Sequence, residues 1–355
     1  MTASIQSARV QAPGLNIVTI GGGTGLSTLL RGLKRYVDAE GARSIASLGA
    51  IVTVTDEGGS SGVLRKEFGM LPPGDIRNCI VALAEEEQLL SQLFSYRFDT
   101  DSALKGHSLG NLLLTAMTEI TGSFDNAVLA ASEVLAIRGE IYPSTLTDVR
   151  LRATLEDGSQ LIGEVEISGS AIGEEPRMVG RHARITQLAI DPPDAEPTAG
   201  ALAALAEADL IIVGPGSLYT SVLPNLVITK LADALQKARA LRVYVCNVMT
   251  QPNETDGYSA QDHLQAIVEH AGLVVDVMVM NGRRPTDSII EAYAAMNQQP
   301  VQFDLDAIRA LGVTPFFGDI IAEGNFVRHD PDALAQTIFQ IYDRYGRTLE
   351  RMRRD

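Results

Sequence analysis

Short apolar segments alternate with amphipathic ones along most of the chain. Five of the apolar segments are rich in β-branched residues and end near residues 20, 55, 213, 247 and 280. Such segments predict buried β-strands, and the amphipathic segments between them predict helices. Because strand and helix alternate repeatedly, the sequence predicts an α/β fold, namely a Rossmann-like, doubly wound and mostly parallel sheet.

Residues 139–195 depart from this alternation. Two segments with a period of two, 147–155 and 161–167, flank the sequence Glu-Asp-Gly-Ser, which is typical of a hairpin turn. Residues 184–190 predict a third strand. We therefore expect a small β-rich insertion, without evident chemistry of its own, within the α/β body.

The chain has 355 residues, 45% of them apolar, which is ample for a sizeable core. We expect one domain over residues 15–345. Residues 1–14 are small and polar and predict a disordered tail, and residues 346–355 predict a charged, frayed tail.

Charge and composition narrow the class of protein. The formal net charge is −15, with a pI near 4.8, which argues against a nucleic-acid or anionic membrane surface. Cys79 and Cys246 lie in apolar segments, so a disulfide framework is not expected. The sequence has no signal-peptide core and no apolar run of transmembrane length. These features predict a cytoplasmic protein without a membrane span.

A glycine-rich loop follows the first predicted strand and leads into a helix. It contains Gly21, Gly22, Gly23, Thr24 and Gly25. Glycines let the backbone approach a ligand closely, and the N–H groups and dipole at a helix N-terminus favour an anion. The loop therefore predicts a phosphate site, most simply for a diphosphate, although neither the full dinucleotide fingerprint nor a Walker A motif is present.

Serine and threonine side chains follow the same loop. Thr24, Ser27 and Thr28 are candidates for capping the predicted helix, because hydroxyls commonly accept hydrogen bonds from the first N–H groups of a helix.

A second strand–glycine loop–helix unit occurs near residue 213. Its candidate ligand-binding residues are Gly214, Gly216, Ser217, Ser221 and Asn225. Two glycine loops in one α/β chain are best explained by a single ligand cleft between them. The next strand leads into a polar loop whose candidates are Asn247, Thr250 and Tyr258, since amides suit a base edge or sugar hydroxyls and a tyrosine can stack on a ring.

Three further polar clusters follow predicted strands or begin predicted helices. Asp56 ends a strand and is suited to a ribose hydroxyl or to Mg²⁺, which makes it the candidate metal ligand and the candidate catalytic residue. The remaining candidates for the cleft are Ser60, Ser61, Asp75, Asn78, His107 and Asn111.

Six ordered motifs resemble one known family. GGGTGL at 21–26, TDEGGSSG at 55–62, LPPGDIRNC at 71–79, GHSLGN at 106–111, GPGSLYTS at 214–221 and CNVMTQPNETDGY at 246–258 resemble the gluconeogenesis factor family (YvcK type). More distantly, the chain is similar to 2-phospho-L-lactate transferase (CofD) of deazaflavin coenzyme synthesis. One difference is visible: the family has two aspartates after the second strand, and this chain has Asp56 and Glu57, which weakens the case for a tight metal site there.

The resemblance implies a cytoplasmic protein required for normal cell shape and for growth on gluconeogenic carbon sources. It implies binding of UDP-sugars, notably UDP-N-acetylglucosamine, with Tyr258 at a family position implicated in holding the nucleotide sugar. Regulatory protein partners and a homo-oligomer are also expected.

Two functions from different classes remain open. The first is a regulator that senses a nucleotide sugar without turning it over, because the cleft contains no clear nucleophile–base pair. The second is a transferase of a phosphate-bearing group that uses Asp56 with Mg²⁺. An NAD-dependent enzyme with a bound dinucleotide rests on the glycine loop alone.

Overall fold

In a computed structural model, the chain is described for residues 14–346, except residues 42, 86, 100, 170–182, 323 and 325. The predicted tails therefore lie outside the described residues, apart from Gly14 and Gly346.

The described part of the chain forms ten strands. In chain order these are β1 (Leu15–Gly21), β2 (Ile45–Val52), β3 (Glu140–Pro143), β4 (Arg150–Leu155), β5 (Gln160–Ile162), β6 (Ile185–Asp191), β7 (Leu210–Val213), β8 (Leu241–Val245), β9 (Val277–Asn281) and β10 (Thr314–Gly318).

The helices are α1 (Gly23–Leu33), α2 (Gly59–Phe68), α3 (Gly74–Leu83), α4 (Glu87–Ser95), α5 (Leu109–Thr121), α6 (Phe124–Val134), α7 (Glu164–Ser168), α8 (Ala199–Glu207), α9 (Leu223–Leu226), α10 (Thr229–Lys237), α11 (Ala260–Ala271), α12 (Asp287–Ala294), α13 (Leu305–Ala310) and α14 (Pro331–Ile341). Short 3₁₀ or π turns occur at Lys34–Tyr36, Leu218–Val222 and Tyr342–Gly346.

Seven strands form one sheet in the order β10-β9-β8-β7-β1-β2-β3, and every pair in it is parallel. Helices α1, α3 and α14 pack together, and α8, α9, α10 and α11 form a second packed group. The strands are buried because their apolar side chains are covered by these helices. The predicted Rossmann-like, doubly wound α/β fold is confirmed.

The strand order reverses between β1 and β7. The chain builds outward from β1 to β3 and then returns to place β7 on the other side of β1. Ile20 pairs with Val213, so the two strands end at the same level and their following loops emerge side by side. Ligands of open α/β sheets bind at such a switch point.

The small β-rich sheet is also present, with altered boundaries. Strands β4, β5 and β6 form an antiparallel sheet in the order β5-β4-β6, and a turn stabilised by Asp157 joins the first two. However, β3 lies inside the predicted insertion range 139–195 and pairs with β2 at the edge of the main sheet. Its four residues are too few to show a periodic pattern, and its proline is tolerated at an edge.

The predicted strand at 161–167 is wrong beyond Ile162. Gly163 has a φ of +96°, which breaks the strand, and α7 follows at once. This helix packs against the π turn Leu218–Val222, and β6 packs against α9. The small sheet is thereby fixed to the loops that follow β7.

Among the described residues, no helix is both long enough and apolar enough to cross a membrane.

Candidate functional site

The two glycine loops lie in direct contact at the switch point. A Cβ on Gly25 would lie 2.4 Å from the Pro215 carbonyl oxygen, and a Cβ on Gly216 would lie 3.5 Å from the Gly22 carbonyl oxygen. At position 25 only glycine permits so close an approach, whereas the contact at Gly216 is an ordinary van der Waals distance. The structure thus brings the two loops together, as the sequence predicts, and they form a continuous floor at the ends of β1 and β7.

None of the hydroxyls in the first turns of helix α1 caps it. Gly22 is its N-cap residue, and the predicted hydroxyl caps do not form. Ser27 and Thr28 instead donate hydrogen bonds to the carbonyls of Gly23 and Thr24, at 2.9 Å each. These residues lie inside the first turns, where a hydroxyl meets the carbonyl four residues earlier more readily than a free N–H group.

Asp75 supplies a carboxylate at this helix N-terminus. It lies in the first turn of α3, accepts a hydrogen bond from the Gly23 N–H, and has its Oδ2 2.5 Å from the position that a Cβ on Gly22 would take. Burial and the nearby Asp56 raise the pKa of Asp75 to about 7, against weaker opposing effects from Gly23 and Arg77. The loop therefore holds an acidic group that is near its titration point at neutral pH.

Asn225 joins the two loops. Its Nδ2 donates hydrogen bonds to the carbonyl of Gly21 at 3.3 Å and to that of Ser221 at 2.8 Å, and the side chain is 0% exposed. The sequence suggests Asn225 as a ligand contact; in the structure its side chain is buried and hydrogen-bonded to both loops. Ser221 lies above it, with its Oγ 3.5 Å from the Cβ position of Gly23.

A third carboxylate comes from the small insertion. Glu164, at the start of α7, accepts a hydrogen bond from the Glu57 N–H and faces the same region as Asp56. Burial, followed by Asp56, Glu254 and Asp75, raises its pKa to about 8. The expectation that the insertion has no chemistry of its own is thus not supported by the geometry, and no local sequence signal identifies Glu164.

Glu57 does not act as the partner of Asp56. It forms ion pairs with Arg65 at 3.5 Å and with Arg150 at 3.0 Å, and so connects α2 to β4. The Asp56 carboxylate instead accepts a hydrogen bond from the Gly58 N–H at 2.9 Å. The longer glutamate side chain allows this separation, so the two neighbours have different environments.

Several candidates line a polar cavity of about 270 Å³ beside the glycine loops. Its walls are formed by Asp56, Gly58, Gly59, Ser60, Ser61, Gly74, Arg77, Asn78, Arg97 and Asn111. His107 lies behind this wall, where its Nδ1 shares a hydrogen bond of 3.0 Å with the Ser60 hydroxyl. Arg97 is absent from the sequence-based candidates because it lies far from any strand end or glycine loop.

Two larger cavities lie beyond β7. Ser217 lines one of about 350 Å³ together with Glu164 and Glu254, and Asn247 lines another of about 420 Å³ at the ends of β8 and β9. Gln251 connects them, because it donates to Ser217 Oγ at 2.8 Å and accepts from Asn247 Nδ2 at 3.2 Å.

Two candidates lie away from these cavities. Tyr258 is 7% exposed, and its hydroxyl is 2.9 Å from that of Tyr219 beneath the small sheet. Thr250 is buried and accepts a hydrogen bond from the Gln299 N–H at 2.9 Å. Both positions are explained by packing.

Carboxylates are the side chains at this site that could hold a metal ion. Within the described ranges, no group of three or more His, Cys, Asp or Glu side chains is arranged to hold one. Asp56 and Asp75 nevertheless repel each other, which indicates local excess negative charge. Such a pair suits Mg²⁺, which commonly takes one or two protein carboxylates and completes its shell with phosphate oxygens and water.

Comparison with known proteins identifies the class to which this fold and site belong. Residues 17–321 match the family described as 2-phospho-L-lactate transferase CofD, so the chain has a CofD-type domain. A Nostoc sp. protein that is provisionally called a gluconeogenesis factor is 48% identical over 93% of this chain and 69% of its own length. The gluconeogenesis factor of Bacillus subtilis is 43% identical over 92% of this chain and 97% of its own length.

A crystal structure of a Bacillus halodurans protein of the UPF0052 family superposes with a TM-score of 0.83 at 43% identity, covering 92% of this chain and 99% of that one. The chain belongs to the gluconeogenesis factor family, as the resemblance in its motifs predicts.

Proposed function

We propose that this protein binds a nucleotide sugar of the UDP-N-acetylglucosamine type and acts as a cytoplasmic regulator linking gluconeogenic metabolism to cell shape and cell-wall synthesis. The observation that carries the proposal is the pair of glycine loops packed against each other at the switch point. Their backbone and the start of α1 offer a floor for a diphosphate, next to the Asp75 carboxylate that accepts the Gly23 N–H.

The cavities along the strand ends support an extended ligand. The cavity of about 420 Å³ is lined in part by Asn247, Gln302 and Phe303, which offer amides for a base edge and a ring for stacking. The neighbouring cavity of about 350 Å³ offers Ser217 and Glu164 to sugar hydroxyls. Both open beside the diphosphate floor because they follow consecutive strands, β7, β8 and β9.

A divalent cation fits this proposal. Asp75 and Asp56 would hold it, and the cation would neutralise the charge that accumulates when phosphate approaches these carboxylates. Asp75 already accepts the Gly23 N–H, so a diphosphate at the same loop requires either a cation or a proton on Asp75. We therefore expect binding to depend on both Mg²⁺ and pH.

Isothermal titration calorimetry with UDP-N-acetylglucosamine, with and without Mg²⁺, tests the proposal. We expect binding of one ligand per chain that is strengthened by Mg²⁺. Asn247→Asp should weaken it by about tenfold or more, because a carboxylate would replace the amide donor. The matched control is Asn126→Asp on the exposed side of α6. Absence of heat at millimolar ligand would end the proposal.

One observation favours the transferase alternative. Asp75 has a pKa of about 7, which suits a group that takes up or releases a proton at neutral pH. The alternative is a Mg²⁺-dependent transfer of a phosphate-bearing group, like that of 2-phospho-L-lactate transferase. Incubation with a panel of donors and acceptors, followed by mass spectrometry, distinguishes the two. A product that requires Mg²⁺ and is lost in Asp75→Asn would favour the transferase.

A further inference from the structure

We propose that the cavity of about 270 Å³ between α2, α3 and α5 is a second anion site, separate from the glycine loops, that takes a phosphate group carrying one proton. The ligand is either free phosphate or a small phosphomonoester. The volume is below the usual range of about 300–1,000 Å³ for small-molecule pockets, so a complete nucleotide sugar does not fit. No residue of the two glycine loops lines this cavity, and Asp56 is the residue that it shares with the cation position proposed above.

Two arginines give the cavity its positive charge. Arg77 and Arg97 both line it; burial and then the charge of Arg97 lower the pKa of Arg77, against opposing effects from Asp56 and Asp75. Over the described ranges, neither forms an ion pair with a carboxylate. Two guanidinium groups beside one cavity, with Asp56 as the carboxylate in its wall, favour an anion between them.

Neighbouring groups fix Arg77 in place. Its Nη1 donates to Ser108 Oγ at 2.7 Å and its Nη2 donates to Asn78 Oδ1 at 2.7 Å. Ser108 in turn caps α5. An arginine restrained in this way loses little conformational entropy when an anion binds.

Three helices begin at the cavity. Gly59 and Ser60 lie at the start of α2, Gly74 at the start of α3, and Asn111 in the first turn of α5. Neither α2 nor α3 has a side-chain cap. The converging helix dipoles add to the field of the two arginines and favour the same anion.

Two acceptors in the wall indicate that the anion carries a proton. Asp56 lines the cavity, and so does Asn111, which is 2% exposed and whose Oδ1 has no hydrogen-bond partner. A fully ionised anion such as sulfate would repel Asp56 and leave Asn111 Oδ1 unsatisfied. A hydrogen phosphate or a singly protonated phosphomonoester offers a P–OH donor, so we expect selection for phosphate over sulfate.

The experiment is calorimetric titration of the full chain with inorganic phosphate, glycerol 3-phosphate and sulfate. We expect one phosphate or phosphomonoester per chain, with sulfate at least about tenfold weaker because it lacks a donor for the two acceptors. Arg97→Ala should weaken phosphate binding by about 10- to 100-fold, and Arg97→Lys by less, because lysine keeps the charge without the planar fork. The control is Arg309→Ala, which removes an exposed arginine on α13.

Repeating the titration with saturating UDP-N-acetylglucosamine separates the two sites. Phosphate that still binds, and still depends on Arg97, supports a second site. If sulfate binds as well as phosphate, if Arg97→Ala binds like the wild type, or if the nucleotide sugar displaces the phosphate completely, the proposal is wrong. If UDP-N-acetylglucosamine does not bind but phosphate binds through Arg97, the nucleotide-sugar proposal fails and this one stands.

The same calorimetric titrations distinguish inorganic phosphate from a phosphomonoester as the ligand. Tighter binding of glycerol 3-phosphate than of inorganic phosphate identifies a phosphomonoester site, and the reverse order identifies a site for the free ion. Circular dichroism of Arg97→Ala checks that the fold is retained, as expected for an exposed side chain that donates a hydrogen bond to the Gly106 carbonyl.

Discussion

Replacing Asp75 with asparagine should change how the stability of the protein depends on pH. The folded state raises the pKa of Asp75 from its usual 3.8 to about 7, so between these values the folded chain holds a proton that the unfolded chain has released. The free energy of unfolding of the wild type therefore falls as pH rises through this window. The asparagine side chain of the variant would keep the hydrogen bond from Gly23 and remove the titrating charge.

The magnitude of this stability difference follows from the shift in the pKa of Asp75. One proton contributes about 1.4 kcal/mol per pH unit, so a shift of about three units corresponds to at most about 4 kcal/mol. Because the charge of Asp56 contributes part of this shift and Asp75 is half-buried, we expect about 2–4 kcal/mol. Asp75→Asn should match the wild type near pH 4 and exceed it by this amount above pH 7, without Mg²⁺.

Chemical denaturation at a series of pH values from about 4 to about 8.5 measures this difference. The control is Asp306→Asn, which removes a carboxylate whose side chain is 93% exposed. Millimolar Mg²⁺ at pH 8 should stabilise the wild type and leave Asp75→Asn unchanged. A difference for Asp75→Asn that does not vary between pH 4 and 8 would refute the assignment of Asp75 as a group that titrates near neutral pH in the folded protein.

Two further predictions concern the loops and the small sheet. Gly25→Val should destabilise the protein by about 3 kcal/mol or more and abolish nucleotide-sugar binding, because its Cβ would lie 2.4 Å from the Pro215 carbonyl oxygen. Thermal unfolding and calorimetry measure the two effects. The control is Gly324→Ala, where the new Cβ meets no atom of the described residues within 4 Å. Tyr258→Phe should lower stability by about 1 kcal/mol, through loss of the hydrogen bond to Tyr219, and leave the affinity for UDP-N-acetylglucosamine unchanged. A large loss of affinity would restore the ligand role that the resemblance implies for Tyr258.

The main sheet could be predicted from the sequence because its signals are local. Each predicted strand of the main sheet corresponds to an apolar segment of the sequence, and glycine loops follow β1 and β7 directly. Edge strand β3 could not be predicted, since four residues with a proline carry no periodic pattern. Its place in the main sheet depends on pairing with β2, and no local feature of residues 140–143 indicates this pairing.

The site was predictable only where a residue type has one obvious use. Asp56 and Asp75 follow a strand or begin a helix, and both lie at the expected edge. Asn225 has the right chemistry and the right neighbourhood, yet the side chain points beneath the loops. Glu164 and Arg97 belong to segments whose approach to the site depends on tertiary packing, so nothing near them in the sequence marks them.

The docking of α7 makes the insertion a structural part of the carboxylate cluster. Glu164 lies within electrostatic range of Asp56, and its helix packs against the π turn while β6 packs against α9. Deleting the insertion to obtain a smaller domain for crystallisation would therefore remove the Glu164 carboxylate from the site together with the deleted strands. Conversely, exchanging the insertion between relatives would also exchange the residue at the position of Glu164. The pH dependence of the recipient's stability would then change.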